Sequence, residues 1–306
     1  MDAALFVEQI LNGVQAGVML FLMAAGLTLV FGIMGLINLN HGTLFMAGAL
    51  VAAKVVSYTG SFWLGVVVAI AFSGALGVLL ETTVFRKLYN RDHLDQVLAT
   101  YALILFFNGL ARAVFGRQPY QIDFPQGLGG SVHLFGDLEY PVYRLLIIMV
   151  GVVVAAFIHL LVTKTRIGML IRAGSTHREM ISALGVNIVA LFTGIFAVGA
   201  CLAGLAGSMI GPLQAVEIGM GEDIVILAFV VIVIGGIGSI RGALVGSLLV
   251  GIVDALGRTL VPLVLSRLTD AGTVASLSGA FASIGVYVIL AMVLLIRPNG
   301  LFAGRV

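Results

Sequence analysis

Charged residues are scarce in this chain, and their scarcity excludes most classes of protein. Asp, Glu, Lys and Arg make up 10% of its 306 residues, whereas soluble domains contain roughly a quarter. The stretch from Gln9 to Ala53 contains none of them. Hydrophobic residues account for 60% of the sequence, and the mean hydropathy is +1.17. This composition excludes an ordinary soluble protein and predicts an integral membrane protein.

Long runs without charge predict where the chain crosses a membrane, because a spanning helix needs ~20 apolar residues. The main runs are 9–53, 55–80, 145–163, 180–216 and 271–296. They are apolar throughout instead of alternating, which favours helices over a β-barrel. We therefore expect an all-α, polytopic transmembrane bundle of about eight or nine helices. The whole chain, 1–306, is expected to form this single domain.

Lysine and cysteine are also rare. The lysines, Lys54, Lys87 and Lys164, follow Ala, Arg and Thr, whereas a P-loop needs a lysine after glycine to hold nucleotide phosphates. The chain is therefore not expected to be an ATPase, and no cofactor or metal ion is expected to bind it. The single cysteine, Cys201, excludes an intramolecular disulfide and is expected to pack between helices.

The basic residues indicate how the chain is oriented. They concentrate in FRKLYNR (85–91), in TKTRIGMLIRAGSTHRE (163–179) and in the C-terminal tail. The positive-inside rule makes these three segments cytoplasmic. Alternation then places the N-terminus outside, together with residues 112–144, which hold three of the six prolines. That segment is expected to be an ordered external loop or a short hairpin.

Two polar interruptions break the apolar pattern at related sequences. GLINLNHGTL (35–44) aligns without gaps with GGIGSIRGAL (235–244), and the alignment sets His41 opposite Arg241. Paired interruptions of this kind are typical of transporters with internally repeated, discontinuous helices. The glycines expected at the breaks are Gly35, Gly42, Gly235, Gly236, Gly238 and Gly242.

The interruptions carry polar side chains at membrane depth. Asn38, Asn40 and His41 lie within the charge-free N-terminal run, where a polar group without a partner is costly. Because intramembrane polar residues are functional candidates, these three and Arg241 are the predicted substrate pathway. In the alternative interpretation, Asn38 or Asn40 caps the helix that begins near Gly42, and His41 braces a neighbouring helix. The two roles are compatible.

The segment STHREMISALGVNI (175–188) has the pattern of a short amphipathic helix on the basic side of the membrane. Thr176 and Glu179 form a capping box at its start, and Gly185 ends it. Its apolar face consists of Met180, Ile181 and Leu184. Such a helix either lies in the lipid interface or inserts into a groove on a cytoplasmic partner.

Four segments, taken in order, resemble a known family. They are GLTLVFGIMGLINLNHGTLFMAGALVA, RIGMLIRAGSTHREMISALGVNI, VIVIGGIGSIRGALVGSLLVG and the terminal RPNGLFAG. Together they are similar to the LivH-type permease subunits of branched-chain amino acid ABC importers, which are type II ABC importers. The resemblance covers most of the chain.

The resemblance implies a role and a set of partners. The chain would be a subunit of an importer in the bacterial inner membrane that translocates branched-chain, hydrophobic amino acids by alternating access. Two cytoplasmic ATP-binding subunits would bind ATP and Mg²⁺ and drive the cycle. A second permease subunit, either a LivM-type paralogue or a second copy, and a periplasmic or lipid-anchored solute-binding protein would complete the assembly. No nucleic-acid partner is expected.

The resemblance also implies that the 175–184 helix, within the cytoplasmic loop 164–187, is the coupling helix that docks on an ATP-binding subunit. The residues expected at that contact are Thr176, His177, Arg178, Glu179, Met180, Ile181, Leu184 and Gly185.

Other functions are left open by the sequence. An ion-coupled secondary transporter also uses repeats and broken helices, although His41 would have to carry the proton alone because no carboxylate lies mid-span. Related permeases carry urea, short amides or aromatic acids, which leaves the substrate open. An intramembrane enzyme would rely on Ser208 and His159, without a third group to orient the base.

Overall fold

The computed structural model describes residues 3–134, 138–176, 180, 183–266 and 271–302, which form helices and a short β-hairpin. The long helices are α1 (Ala3–Met34), α2 (His41–Thr59), α3 (Phe62–Leu80), α5 (His93–Phe115), α6 (Val142–Lys164), α8 (Ile188–Ile210), α9 (Met220–Gly235), α10 (Ile240–Leu265) and α11 (Ala271–Ile296). Shorter helices are α4 (Arg86–Leu88), which follows a π-helical turn at Glu81–Phe85, and α7 (Arg166–Thr176). The hairpin pairs β1 (Ser131–His133) with β2 (Glu139–Pro141).

Within the described residues, eight helices are long and apolar enough to cross a membrane. They are α1, α2, α3 with its continuation to Leu88, α5, α6, α8, α10 and α11. The remaining long helix, α9, has 16 residues, or about 24 Å, which is less than the ~30 Å of a hydrocarbon core. The predicted all-α polytopic bundle is confirmed.

The segment between α5 and α6 contains a hairpin instead of another span, in agreement with its prolines and glycines. Tyr120 also forms an antiparallel bridge with Val216, with N–O distances of 2.9 and 2.8 Å. This bridge ties the hairpin segment to the loop that precedes α9.

Helix α1 lies at the centre of the bundle and packs against α10 through small residues. A Cβ atom at Gly13 would lie 2.6 Å from the Ile252 Cα, and one at Gly17 would lie 2.8 Å from the Ser247 oxygen. The contacts run in opposite directions along the two helices, so α1 and α10 are antiparallel. Small residues permit this approach, which replaces the hydrophobic drive that lipid does not supply.

Helix α8 is the second organising element, because its small residues contact both α2 and α3. A Cβ atom at Gly48 of α2 would lie 2.6 Å from the Gly204 Cα, and one at Gly74 of α3 would lie 2.6 Å from the Cys201 sulfur. Cys201 therefore packs between helices, as its apolar context predicts. These contacts bring the middle of α2 and the C-terminal third of α8 together.

Candidate substrate pathway and coupling surface

The connector between α1 and α2, residues 35–40, runs back into the bundle. Gly35 has φ of +63° and turns the chain at the end of α1. The His41 Nε2 atom lies 2.8 Å from the position of a Cβ atom on Gly26. Gly26 is about 12 Å before the end of α1, since each helical residue rises ~1.5 Å. The connector therefore climbs beside α1, and α2 starts inside the bundle.

Asn38, Asn40 and His41 are completely buried on this connector and at the start of α2. Within the part of the chain that the structure describes, their side-chain nitrogen and oxygen atoms have no hydrogen-bond partner. Some buried hydroxyls elsewhere are bonded, as when Ser73 donates to the Leu44 carbonyl at 3.1 Å, whereas the hydroxyls of Thr28 and Tyr140 also lack a partner among the described residues. Native proteins leave few buried polar groups unpaired. The connector is therefore an unusual concentration of free donors and acceptors.

The side-chain cap that was one interpretation of these asparagines is absent. Asn40 occupies the N-cap position of α2, but its side chain makes no capping bond. The Asn40 backbone oxygen accepts from the Thr43 N–H at 3.0 Å instead. The cap interpretation is therefore wrong for Asn40, whose backbone is helical instead of having the extended conformation that is typical of a capping residue.

The start of α2 crosses the start of α9 at two glycines. A Cβ atom on Gly42 would collide with the Gly221 carbonyl oxygen, and one on Gly221 would collide with that of Gly42. The Gly219 N–H lies 3.3 Å from the Met46 sulfur, so the loop before α9 also enters the bundle. Helix α9 therefore begins at depth, as α2 does.

A narrow crevice, without room for a water molecule, lies beside this crossing. Its lining residues are Leu39, Gly42, Thr43, Met46, Ile104, Asn108, Gly221 and Glu222. Asn108 of α5 donates to the Glu222 carboxylate at 2.6 Å. The crevice thus places one buried connector next to a carboxylate and an amide.

The second predicted break, between α9 and α10, has a different construction. Gly236 and Gly238 have φ of +102° and +78°, and the Ser239 hydroxyl caps α10 by accepting from the Gly242 N–H at 3.1 Å. The backbones of Gly235 and Gly242 are in direct contact. Arg241 is exposed, so the structure does not bring it into the buried cluster of Asn38, Asn40 and His41.

The C-terminal tail closes the second break. Leu301 and Phe302 donate their N–H groups to the carbonyls of Ile234 and Gly235 at 2.8 and 2.9 Å. The tail supplies hydrogen-bond partners for the last carbonyls of α9, which otherwise have none within the helix. This gives the RPNGLF segment a structural role.

Two buried polar residues near the basic turn were missed by the sequence interpretation. Gln96 is 2% exposed and Glu81 is 0% exposed. Glu81 follows directly after an apolar run, and Gln96 lies in the first turn of α5. A polar residue at the edge of a span usually faces water, so their burial had no signal in the sequence.

The segment expected to be cytoplasmic contains a helix that the sequence did not predict. Helix α7 covers Arg166–Thr176, and these residues lie before and at the start of the helix expected at 175–184. His177, Arg178, Glu179 and Ile181 lie outside the described residues, and the capping box stays a prediction. Met180 and Leu184 are 56% and 76% exposed. Gly185 has φ of +85°, as expected for a residue that ends a helix.

The serine and histidine of the enzyme alternative are not placed together. Ser208 is buried and donates to the Leu205 carbonyl of its own helix at 2.8 Å. His159 is exposed on α6.

The fold is that of a polytopic membrane protein with the discontinuous helices of transporters. It combines membrane-length helices with breaks between α1 and α2 and between α9 and α10, and the first break is a buried polar connector. The chain belongs to the family described as the permease component of the branched-chain amino acid transport system, whose family model matches residues 9–297. This family membership makes the chain a transport-system permease.

Three relatives support this assignment over nearly the full length. The high-affinity branched-chain amino acid transport permease LivH of Escherichia coli is 28% identical over 97% of this chain and 95% of its own length. LivH of Salmonella typhimurium is 27% identical over the same shares. BraD of Pseudomonas aeruginosa, also a high-affinity branched-chain amino acid permease, is 26% identical over the same shares. No solved structure matches the chain.

Proposed function

We propose that this chain is a permease subunit of an ATP-driven importer for branched-chain amino acids. The buried connector carries the proposal, because Asn38, Asn40 and His41 are free to bond a solute inside a membrane bundle. The family match and the printed functions of LivH and BraD favour Leu, Ile and Val over other solutes. Apolar walls with a few amides suit a small zwitterion with an aliphatic side chain.

The same proposal includes the location and partners of the subunit. The basic segments favour a multi-pass protein of the bacterial inner membrane with its C-terminus in the cytoplasm and its N-terminus outside. Helix α9 and the loop before it would complete a ninth crossing. The partners are two ATP-binding subunits, a second permease subunit and an external solute-binding protein, and ATP with Mg²⁺ binds to the ATP-binding subunits.

Transport by reconstituted complexes tests the function. The chain is purified with the products of its neighbouring genes and placed in proteoliposomes with ATP inside and binding protein outside. We expect ATP-dependent accumulation of labelled Leu, Ile and Val, with no accumulation of urea or acetamide. Accumulation of urea, an amide or an aromatic acid in place of Leu would reassign the substrate. Uptake by the chain alone, without any ATPase subunit, would instead support a secondary transporter.

The coupling surface gives a separate prediction. We propose that exposed Leu184 and the turn at Gly185 contact an ATP-binding subunit. Leu184→Gln and Gly185→Val are each expected to lower transport per ATP hydrolysed by about tenfold, because one apolar anchor or one strained turn is worth ~1.4 kcal/mol at a contact. The thermal stability of the isolated subunit should not change for Leu184→Gln, since Leu184 is 76% exposed.

A matched control is Leu94→Gln, because Leu94 is 69% exposed in the first turn of α5. This variant should keep the wild-type ratio of transport to hydrolysis. If all three variants keep the same ratio of transport to ATP hydrolysis, Leu184 and Gly185 do not take part in the coupling contact.

A further inference from the structure

Gln96 joins the buried connector to the turn between α4 and α5. Its Oε1 atom accepts from the Ile37 N–H at 3.2 Å. Its Nε2 atom donates to the carbonyls of Leu88 and Arg91 at 3.2 and 3.1 Å. All of these partners are main-chain groups, and both ends of the amide are used. A buried amide bonded in this way fixes the connector relative to residues 88–91.

Glu81 joins the same turn to α8. Its carboxylate accepts from the Arg86 Nη2 atom at 3.0 Å and from the Tyr89 hydroxyl at 2.9 Å. The Thr193 hydroxyl of α8 donates to the carboxylate at 2.6 Å and accepts from Arg86 at 3.1 Å. A buried carboxylate needs such a full set of donors. Thr193 is therefore part of the network that holds the π-helical turn.

Aromatic contacts reinforce this junction. The Tyr89 and Phe192 rings meet edge to face with centroids 5.6 Å apart, and the Phe85 and Phe196 rings lie 5.0 Å apart. Because two residues of α8 contact two residues around α4, the start of α8 and the turn 81–91 are packed as one unit.

The two clusters form a continuous series of contacts. Residues 183–187 lead directly into α8, whose Thr193 contacts Glu81. The turn 86–91 links Glu81 to Gln96, and Gln96 holds Ile37, the residue before Asn38. The series starts at the proposed coupling surface and ends at the proposed substrate pathway.

We propose that Glu81 and Gln96 are positioning residues that transmit movement of the cytoplasmic loop to the 35–40 connector. Glu81 makes the turn 86–91 follow α8, and Gln96 makes the connector follow that turn. A shift of the loop driven by an ATP-binding subunit then changes the position of Asn38 and Asn40. The inference rests on the proposed function for its driving force, whereas the two links themselves are testable in the isolated chain.

Hydrogen exchange of the purified chain tests the first link. Gln96→Met keeps the side-chain volume but removes the acceptor for the Ile37 N–H and the donors to Leu88 and Arg91. Amide exchange in residues 35–40 is expected to become about three- to tenfold faster, as for the loss of one buried hydrogen bond. Unchanged exchange there would overturn the positioning role of Gln96, whatever the protein transports.

Transport measurements test the second link. Thr193→Val removes the hydroxyl between Glu81 and Arg86 and keeps the shape of the side chain. We expect transport per ATP hydrolysed to fall about tenfold, the effect of ~1.4 kcal/mol of lost coupling. The control is Thr163→Val, because the Thr163 hydroxyl donates to the His159 carbonyl of its own helix at 2.6 Å. This control should behave as wild type.

The double variant decides whether the links act in series. If they do, Gln96→Met combined with Thr193→Val should lower transport per ATP hydrolysed no further than the more severe single variant does. If the double variant instead lowers the ratio of transport to ATP hydrolysis by the product of the two single effects, the links contribute independently, and the proposed series is wrong. Absence of ATP-dependent uptake by the wild-type complex would count against the proposed function, while the exchange result for Gln96 would still stand.

Discussion

Replacing Gly42 with valine is expected to prevent stable folding of the subunit. A Cβ atom there would collide with the carbonyl oxygen of Gly221 and would also lie 3.2 Å from the Val225 Cβ. Because the first obstacle is backbone, α2 and α9 would have to separate. Overpacking of a core costs about 1–3 kcal/mol and sometimes more, and separation would also strain the hydrogen bond from Asn108 to Glu222.

The thermal midpoint and the yield of monodisperse protein in detergent measure this effect. Gly42→Val should lose most of both, and Gly221→Val should do the same because the contact is reciprocal. Gly109→Val is the matched control, since a Cβ atom at Gly109 of α5 meets nothing within 4 Å. A Gly42→Val protein as stable as this control would show that the two helices do not cross at these glycines.

The second large effect is a gain of stability accompanied by a loss of transport. Asn38→Leu replaces a completely buried, unpartnered amide with an apolar side chain of similar size. Relief of an unsatisfied buried polar group is expected to stabilise the isolated subunit by about 1–3 kcal/mol. Transport should fall at least tenfold, because one lost hydrogen bond to a solute is worth ~1.4 kcal/mol. Asn40→Leu should behave in the same way.

Ser73→Ala is the comparison variant, because it is expected to change the stability of the subunit in the opposite direction. Ser73 is buried and donates to the Leu44 carbonyl at 3.1 Å, so its replacement removes one buried hydrogen bond and lowers stability. Chemical denaturation in mild detergent measures both changes. If Asn38→Leu also destabilises the protein, the Asn38 amide is bonded in the native state, and its assignment to the pathway is wrong.

A trade between stability and function explains why the connector keeps these amides. Each unsatisfied group makes the isolated subunit less stable, and a fully apolar connector would pack better in lipid. Retention of polar groups at such a position is what a solute pathway requires. The expected opposite signs for Asn38 and Ser73 therefore distinguish a functional polar group from a structural one.

Local sequence determined the spans and the position of the first break. A run without charge must be helical in hydrocarbon because only a helix satisfies its own backbone there. Gly35, with its positive φ, and the polar residues after it end α1 for local reasons. The prolines and glycines between α5 and α6 favoured the hairpin in the same way. These features depend on residues that are close in sequence, so one sequence is enough to predict them.

Tertiary structure alone decided which polar residues are partnered. Ile37 and Gln96 are 59 residues apart, and Glu81 and Thr193 are 112 apart. Such pairs depend on the angles at which helices cross, and those angles are set by small residues such as Gly42 and Gly221. His41 and Arg241 align in sequence, yet His41 is buried and Arg241 is exposed. Their environments differ because α2 starts inside the bundle, whereas α10 starts at its surface, and no local pattern distinguishes the two.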